Sequence, residues 1–163
     1  MDTRTEEQRR RIMQAVRSRD TGPEMLVRRL LHRFGYRYRL HRTDLPGKPD
    51  IVFGSRRKVI FVHGCFWHSH GCSKGRLPKS RLEFWRPKLL ENSRRDGRNE
   101  EALRALGWNV LVIWQCETSD LEALSQRLLR FLGDRKLQSP RRATRGSVRG
   151  PDRSEAINPR GEP

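Results

Sequence analysis

Between Val59 and Cys72 the chain reads VIFVHGCFWHSHGC. An apolar run suited to a buried strand, Val59–Val62, passes directly into a loop that carries His63, Cys65, His68, His70 and Cys72. Cys65-x4-His70-x-Cys72 has the spacing of metal ligands. Cys116, the remaining cysteine, follows a second apolar run, WNVLVIW, at 108–114. A tetrahedral Cys3His set is a closed, structural geometry for zinc. Such a site would pin an irregular loop to the end of a central strand and would use every cysteine in the chain. The plain alternative is three ordinary thiols, a common fate for buried cysteine, and a surface histidine.

The rest of the composition limits what this pinned fold can serve. At 163 residues, 34% of them apolar, the chain suits one domain with a modest core and a tail. The net charge is +17, from 36 Lys+Arg against 19 Asp+Glu. Most of that charge is arginine, which grips phosphate in a bidentate fork. A nucleic acid is therefore the expected partner, against the blander reading of a solvated basic surface. No window approaches ~18 uninterrupted apolar residues, so no membrane helix is expected. The start, MDTRTEEQRRR, lacks an apolar signal core, and an odd cysteine count suits thiols or metal ligands in a reducing compartment. A cytoplasmic location follows as an expectation.

Residues 5–18 have the pattern of a basic amphipathic helix, with Ile12, Met13 and Val16 on one side. Thr21 and Gly22 interrupt it. Pro23 then opens a second helix, with Glu24 in the first turn and Val27, Leu30, Leu31 and Phe34 at helical spacing up to Gly35. Tyr36, Tyr38 and Leu40 alternate with basic residues as in a half-buried strand. LPGK at 45–48 reads as a turn, followed by strands over Asp50–Phe53 and Lys58–Val62. The stretch 64–82 is expected to be irregular, folded around the metal. Pro87 is expected to open a long helix to Leu106, Trp108–Trp114 to form a buried strand with both tryptophans in the core, and Ser119–Leu132 to form a last helix stopped by Gly133. From Asp134 the chain turns polar, basic and proline-bearing, as in a disordered tail that adds phosphate attraction. Helix, helix, three strands, helix, strand, helix is an α/β order. The helix before the last strand allows one parallel pair in a mixed sheet.

Several residues could carry chemistry. Asp50 follows Pro49 at a strand start, where proline favours extended backbone and cannot donate to a ladder. A carboxylate there can bind Mg²⁺ with water and phosphate completing the shell, or it can merely cap the turn. His68 can accept a proton from water near neutral pH, or replace His70 as a zinc ligand. His63 could hold metal-bound water or sit satisfied in the core. Asp96 could orient a histidine or be a solvated helix charge. Phe66 and Trp67 in the metal loop, with Phe84 and Trp85 after the basic stretch GRLPKSR, could wedge between bases or form a small core under the loop.

Taken together, five blocks in one order resemble the very short patch repair endonucleases, the Vsr mismatch family. They are RSRDTGPE (17–24), LPGKPDIVF (45–53), VIFVHGCFWHSHGC (59–72), EFWRPKLLENSRRD (83–96) and LGWNVLVIWQCE (106–117). The resemblance covers residues 10–132. It implies a restriction-endonuclease-like core with a mixed central sheet flanked by helices and a structural zinc site. It implies nicking of one DNA strand 5′ to the thymine of a T·G mismatch, the product of 5-methylcytosine deamination. By the same resemblance, Asp50 is the Mg²⁺ ligand with the Val62 backbone carbonyl, and His68 is the catalytic histidine with Asp96 near it. Glu24 and His63 hold metal-bound waters, and Cys65, His70, Cys72 and Cys116 bind zinc. Phe66, Trp67 and Trp85 wedge beside the mismatch, while Met13 and Val16 approach from the minor groove.

The implied organisation is a DNA-contacting arm over 1–20, an endonuclease domain over 21–133 and a tail over 134–163. The implied setting is a bacterial nucleoid, with a monomer acting on mismatched duplex and mismatch-repair scaffold proteins as candidate partners. The wider nuclease superfamily pattern, PD…(D/E)xK, is altered here: Val62-His63 replaces the acidic residue and lysine, which places more of the acid-base work on His68. Two other readings stay in view, a non-catalytic zinc-stabilised DNA-binding module and a restriction-type enzyme that cuts both strands.

Overall fold

The structure is a computed structural model, and it describes residue 5, residues 7–8, residue 11 and residues 19–133. Of the expected 5–18 helix, Glu7, Gln8 and Arg11 are helical. Met13 and Val16 lie outside the described residues, as does the tail over 134–163.

Helix α1 spans Gly22–Arg33. The Thr21 side chain caps it by accepting from the Glu24 backbone N–H, and Pro23 and Glu24 occupy the first turn, as the sequence suggested. Strands β1 (Arg39–Leu40), β2 (Ile51–Phe53) and β3 (Lys58–His63) follow. Helix α2 (Leu82–Ala105) then crosses to strand β4 (Asn109–Trp114), and helix α3 (Leu121–Leu132) closes the core. The sheet order is β1-β2-β3-β4. The first two pairings are antiparallel and β3–β4 is parallel, because a helical crossover brings β4 back in the direction of β3.

Period-two alternation sorts the strands' side chains between two cores. Ile51, Phe53, Ile60 and Ile113 join Val27, Leu30 and Leu31 of α1 and Leu124, Leu128 and Leu132 of α3 on one face. Val52, Val59 and Phe61 join Leu45, Leu103 of α2 and Trp108 on the other. The result is the expected mixed α/β architecture, a four-stranded sheet flanked by helices on both faces.

Three boundaries differ from the sequence expectation. The strand expected from Tyr36 pairs only at Arg39–Leu40. Its partner β2 ends at Phe53, opposite Tyr38 in that register, and enters a tight 3-10 turn, Gly54–Arg56, so residues before Tyr38 have no strand to pair with. Tyr36 and Tyr38 instead pack edge-on against Phe53, at 6.2 and 6.0 Å between ring centroids. The long helix starts at Leu82, and Pro87 lies inside it. Arg81, in the left-handed region at φ 55°, turns the chain sharply, and its carbonyl accepts from the N–H groups of Phe84 and Trp85. A proline this near a helix start removes one bond without breaking the helix. Finally, β4 is not a buried strand: it is the sheet edge, with Ile113 its one fully buried residue. Trp108 is in the core as expected, whereas Trp114 is only half-buried.

The far end of α3 is held by side chains from the start of β3 and from the segments around it. The Phe131 and Leu132 carbonyls accept from the Lys58 ammonium, at 2.6 and 3.3 Å. Arg56 donates to Leu132 O at 2.8 Å and Tyr36 to Gly133 O at 2.6 Å. Cations at a helix C-terminus complement its dipole.

Candidate active site and metal centre

Strand directions decide which residues meet. β2 begins where β3 ends, because they are antiparallel, and β4 ends beside the end of β3, because they are parallel. Asp50 (just before β2), His63 and Trp114 therefore share one pole of the sheet. A cleft of about 930 Å³ opens there. Its walls include Asp50, Val62, His63, His68 and Asp96. Arg19, Lys48 and Arg95 supply positive charge, and Trp67 supplies an aromatic wall.

Asp50 is fixed by the Val62 N–H, which donates to Oδ2 at 2.7 Å. Burial pushes its carboxyl up to about 6, against that hydrogen bond, and the negative charge of Glu24 adds to the rise. A carboxylate held in so unfavourable a setting is a natural place for a divalent cation. Glu24 is only 2% exposed and lies beneath the cleft rather than in its wall. It ion-pairs with Arg28 and sits 3.2 Å from His41 Nε2. His41 also faces Asp50, with Nδ1 3.8 Å from Oδ1. Arg28 reaches His41 Nε2 at 2.8 Å and Asp20 at 2.6 Å.

His68 Nδ1 is hydrogen-bonded to Asp96 Oδ2. Burial alone would raise the Asp96 carboxyl, but the His68 hydrogen bond and the nearby imidazole charges outweigh it and hold Asp96 below its ordinary value. The His63 ring stacks flat on that of His68, with centroids 3.9 Å apart and planes 4° apart. Burial, and then the charge of His68, push His63 down to about 4, so it is neutral at physiological pH. A neutral ring can lie against a second imidazole without charge repulsion.

Next to this pair lies the cysteine set. One ligand atom from each of Cys65, His70, Cys72 and Cys116 falls within 4.8 Å of all the others. Three thiol sulfurs and one imidazole nitrogen in such a group can hold a zinc ion. The Cys116 N–H points at Cys65 Sγ at 3.3 Å. Burial pushes the Cys65 thiol up to about 11. At Cys72 burial acts the same way, but hydrogen bonds from His70, Cys65 and the backbone of Lys74 and Gly75 win and bring it down to about 6. Gly75 is required for the loop's path: a Cβ there would lie 1.9 Å from the His70 carbonyl oxygen.

The structure thus brings Asp50, His63, His68 and Asp96 to one cleft, with Cys65, His70, Cys72 and Cys116 beside it. His68 pairs with Asp96 and is not in the cysteine group. Phe66, Trp67 and Trp85 form one edge-on cluster, with centroids 5.1 to 6.0 Å apart, all half-buried. Phe84 extends it and is 46% exposed. Sequence reasoning missed His41 and Arg28, which brace Asp50 from below, and Asn92, which donates to the Trp67 carbonyl at 3.0 Å. Asn92 was legible in principle. It stands one turn before Asp96 and two turns after Trp85, on the same face of α2.

Comparison with known proteins defines the class of chain that carries this cleft. The family model for the DNA mismatch endonuclease Vsr matches residues 1–74. The chain is 63% identical over 131 residues to the type II nicking enzyme V.XorIIP of Xanthomonas oryzae pv. oryzae, spanning 80% of this chain and 96% of that protein. It is 42% identical over 117 residues to the DNA mismatch endonuclease Vsr of Escherichia coli K12, spanning 72% of this chain and 75% of that protein. Among solved structures, the catalytic domain of the homing endonuclease I-Bth0305I aligns with a TM-score of 0.48 at 21% identity, covering 69% of this chain and 94% of that one. The class is therefore DNA endonuclease, a hydrolase of the phosphodiester backbone. Within it, the chain belongs to the Vsr family.

Proposed function

We propose that the chain nicks one strand of duplex DNA 5′ to the thymine of a T·G mismatch, by Mg²⁺-dependent hydrolysis, in very short patch repair. The observation that carries this reading is the meeting of a raised carboxyl, Asp50, and an Asp96-bound imidazole, His68, in one cleft that Arg19, Lys48 and Arg95 also line. Asp50 offers the hard oxygen that magnesium prefers, and the backbone carbonyl of Val62 is the second candidate ligand, with Glu24 and His63 as candidate partners for its waters. Bound there, the ion would neutralise charge on the scissile phosphate and make water more acidic.

The protein's own groups do the rest. Asp96 accepts the Nδ1 proton of His68, which fixes the tautomer and leaves Nε2 free to take a proton from the attacking water. Arg19, Lys48 and Arg95 draw the phosphate backbone into the cleft. Phe66, Trp67 and Trp85 are the candidate wedge beside the mismatch. A wobble pair stacks less well than a sound one, so opening it costs less than the usual few kcal/mol per step. Residues 1–20, with Met13 and Val16, are a candidate minor-groove arm, and 134–163 a candidate source of added phosphate attraction. The Cys65, His70, Cys72, Cys116 set is the candidate structural zinc site. A single nick suits a monomer acting in the bacterial nucleoid, with mismatch-repair scaffold proteins as candidate partners.

The test is incubation of zinc-loaded protein and Mg²⁺ with end-labelled duplexes, one with a T·G mismatch in a methylation-site context and one fully paired. A single nick on the thymine strand of the mismatched duplex is expected. Cutting of both strands in both duplexes would identify a restriction-type enzyme. Binding without a break would identify a non-catalytic module.

A further inference from the structure

We propose that Trp114 is a positioning residue for the histidine pair, carrying the fixed geometry of the cysteine set to His63 and, through it, to His68. The proposal rests on the reading of His68 as the proton acceptor.

Trp114 ends β4 in register with His63, which ends β3. Registered residues on neighbouring parallel strands project to the same face, so indole and imidazole meet edge-on at 5.5 Å and 73°. The face of the same indole lies on His70, at 4.3 Å and 15°. Its edge also reaches His68, at 6.4 Å and 70°. His63 in turn stacks on His68. An unbroken series of rings therefore runs from the metal-ligand candidate His70 through Trp114 and His63 to His68.

The indole is itself held at its root. The Trp114 backbone N–H donates to Glu117 Oε2 at 2.7 Å, Glu117 is paired with Arg127, and Arg127 donates to the Val112 carbonyl at 3.0 Å. Two residues on, Cys116 is tied to Cys65.

His68 needs such a support. The hydrogen bond to Asp96 fixes one ring nitrogen but leaves the ring free to swing about that bond. A contact on the ring's face sets its plane, and His63 supplies it. His63 is held by the rings around it, His68, Trp114 and Phe61, the last at 5.5 Å and 45°. Removing the indole opens the His63 wall on the metal-loop side. A displacement of about 1 Å at the proton acceptor is enough to slow a reaction about 100-fold.

The experiment compares zinc-loaded wild type, Trp114→Phe, Trp114→Leu and His68→Ala on the T·G duplex. It reads kcat, KM, zinc content, and the imidazole proton shifts of His63 and His68 by NMR. Trp114→Leu is expected to lower kcat about 100-fold with KM and zinc content unchanged and both imidazoles shifted. Trp114→Phe, which restores a flat ring, is expected to recover most of that loss. A wild-type kcat in Trp114→Leu overturns the proposal. So does loss of zinc in step with activity, which would confine the indole's role to the metal loop. Undiminished nicking by His68→Ala would instead overturn the reading of His68, while the NMR comparison still reports whether Trp114 fixes the rings.

Discussion

Asp50→Asn should abolish nicking and yet make the magnesium-free protein more stable at neutral pH. In the unfolded chain the carboxyl titrates near its ordinary 3.8, whereas burial in the fold, with Glu24 beneath it, raises it to about 6. The folded state thus binds this proton more tightly than the unfolded state. The sign follows: stability is highest when Asp50 is neutral, falls as pH rises from about 4, and reaches its full loss above about 6. At about 1.4 kcal/mol per pH unit, the gap between 3.8 and about 6 amounts to about 3 kcal/mol. Asparagine mimics the neutral acid and keeps an acceptor for the Val62 N–H. Its advantage over wild type should therefore grow from about 1.5 kcal/mol near pH 5 to about 3 kcal/mol near pH 8. Urea unfolding of both proteins, without magnesium but with zinc retained, measures this, and the pH dependence of zinc binding cancels in the difference. A variant no more stable than wild type near pH 8, or a difference that does not change with pH, would refute the claim that Asp50 is held in an unfavourable ionised state.

Three other outcomes are expected. Asp96→Asn keeps an oxygen for His68 but replaces the carboxylate that accepts its Nδ1 proton with a neutral amide, so kcat should fall about 100-fold or more, with duplex affinity by gel shift unchanged; a kcat near wild type would remove Asp96 from the chemistry. Gly75→Ala would drive a Cβ to 1.9 Å from the His70 carbonyl oxygen and 3.0 Å from that of Cys65, both backbone atoms, so stability should drop by about 1–3 kcal/mol and zinc should be held less tightly; an unchanged melting temperature would show that the loop yields freely. Cys116→Ser removes one of the four candidate zinc ligands, so atomic emission should find little zinc in the purified variant and its thermal midpoint should fall; full zinc content would exclude Cys116 as a ligand.

The parts of this fold legible in the sequence were those set by local pattern. Helix α1 could be read from Pro23, Glu24 and the spacing of Val27, Leu30 and Leu31, and the β3–α2–β4 crossover from a helix between two apolar runs. Convergence of Cys65, His70, Cys72 and Cys116 was legible because metal ligation demands particular residue types. What escaped depended on neighbours in space. Whether Trp114 lay in the core could not be read from its apolar surroundings, because nothing in WNVLVIW says that the strand ends the sheet. Pro87 looked like a helix start until the left-handed turn at Arg81 supplied an earlier one. His41 sits in a basic run of no distinctive spacing. Only the pairing of β1 with β2 carries it to Glu24 and Asp50.

The clamp on the end of α3 has a practical meaning. Lys58 opens β3 and His63 closes it, so the carbonyls of Phe131 and Leu132 are anchored about 17 Å along the strand from the cleft. At Gly133 the described chain therefore stands at the pole of the sheet away from the cleft. A fluorophore, biotin or surface tether placed directly after Gly133 would leave the approach to the cleft open, so single molecules could be immobilised there and watched as they meet duplex from solution.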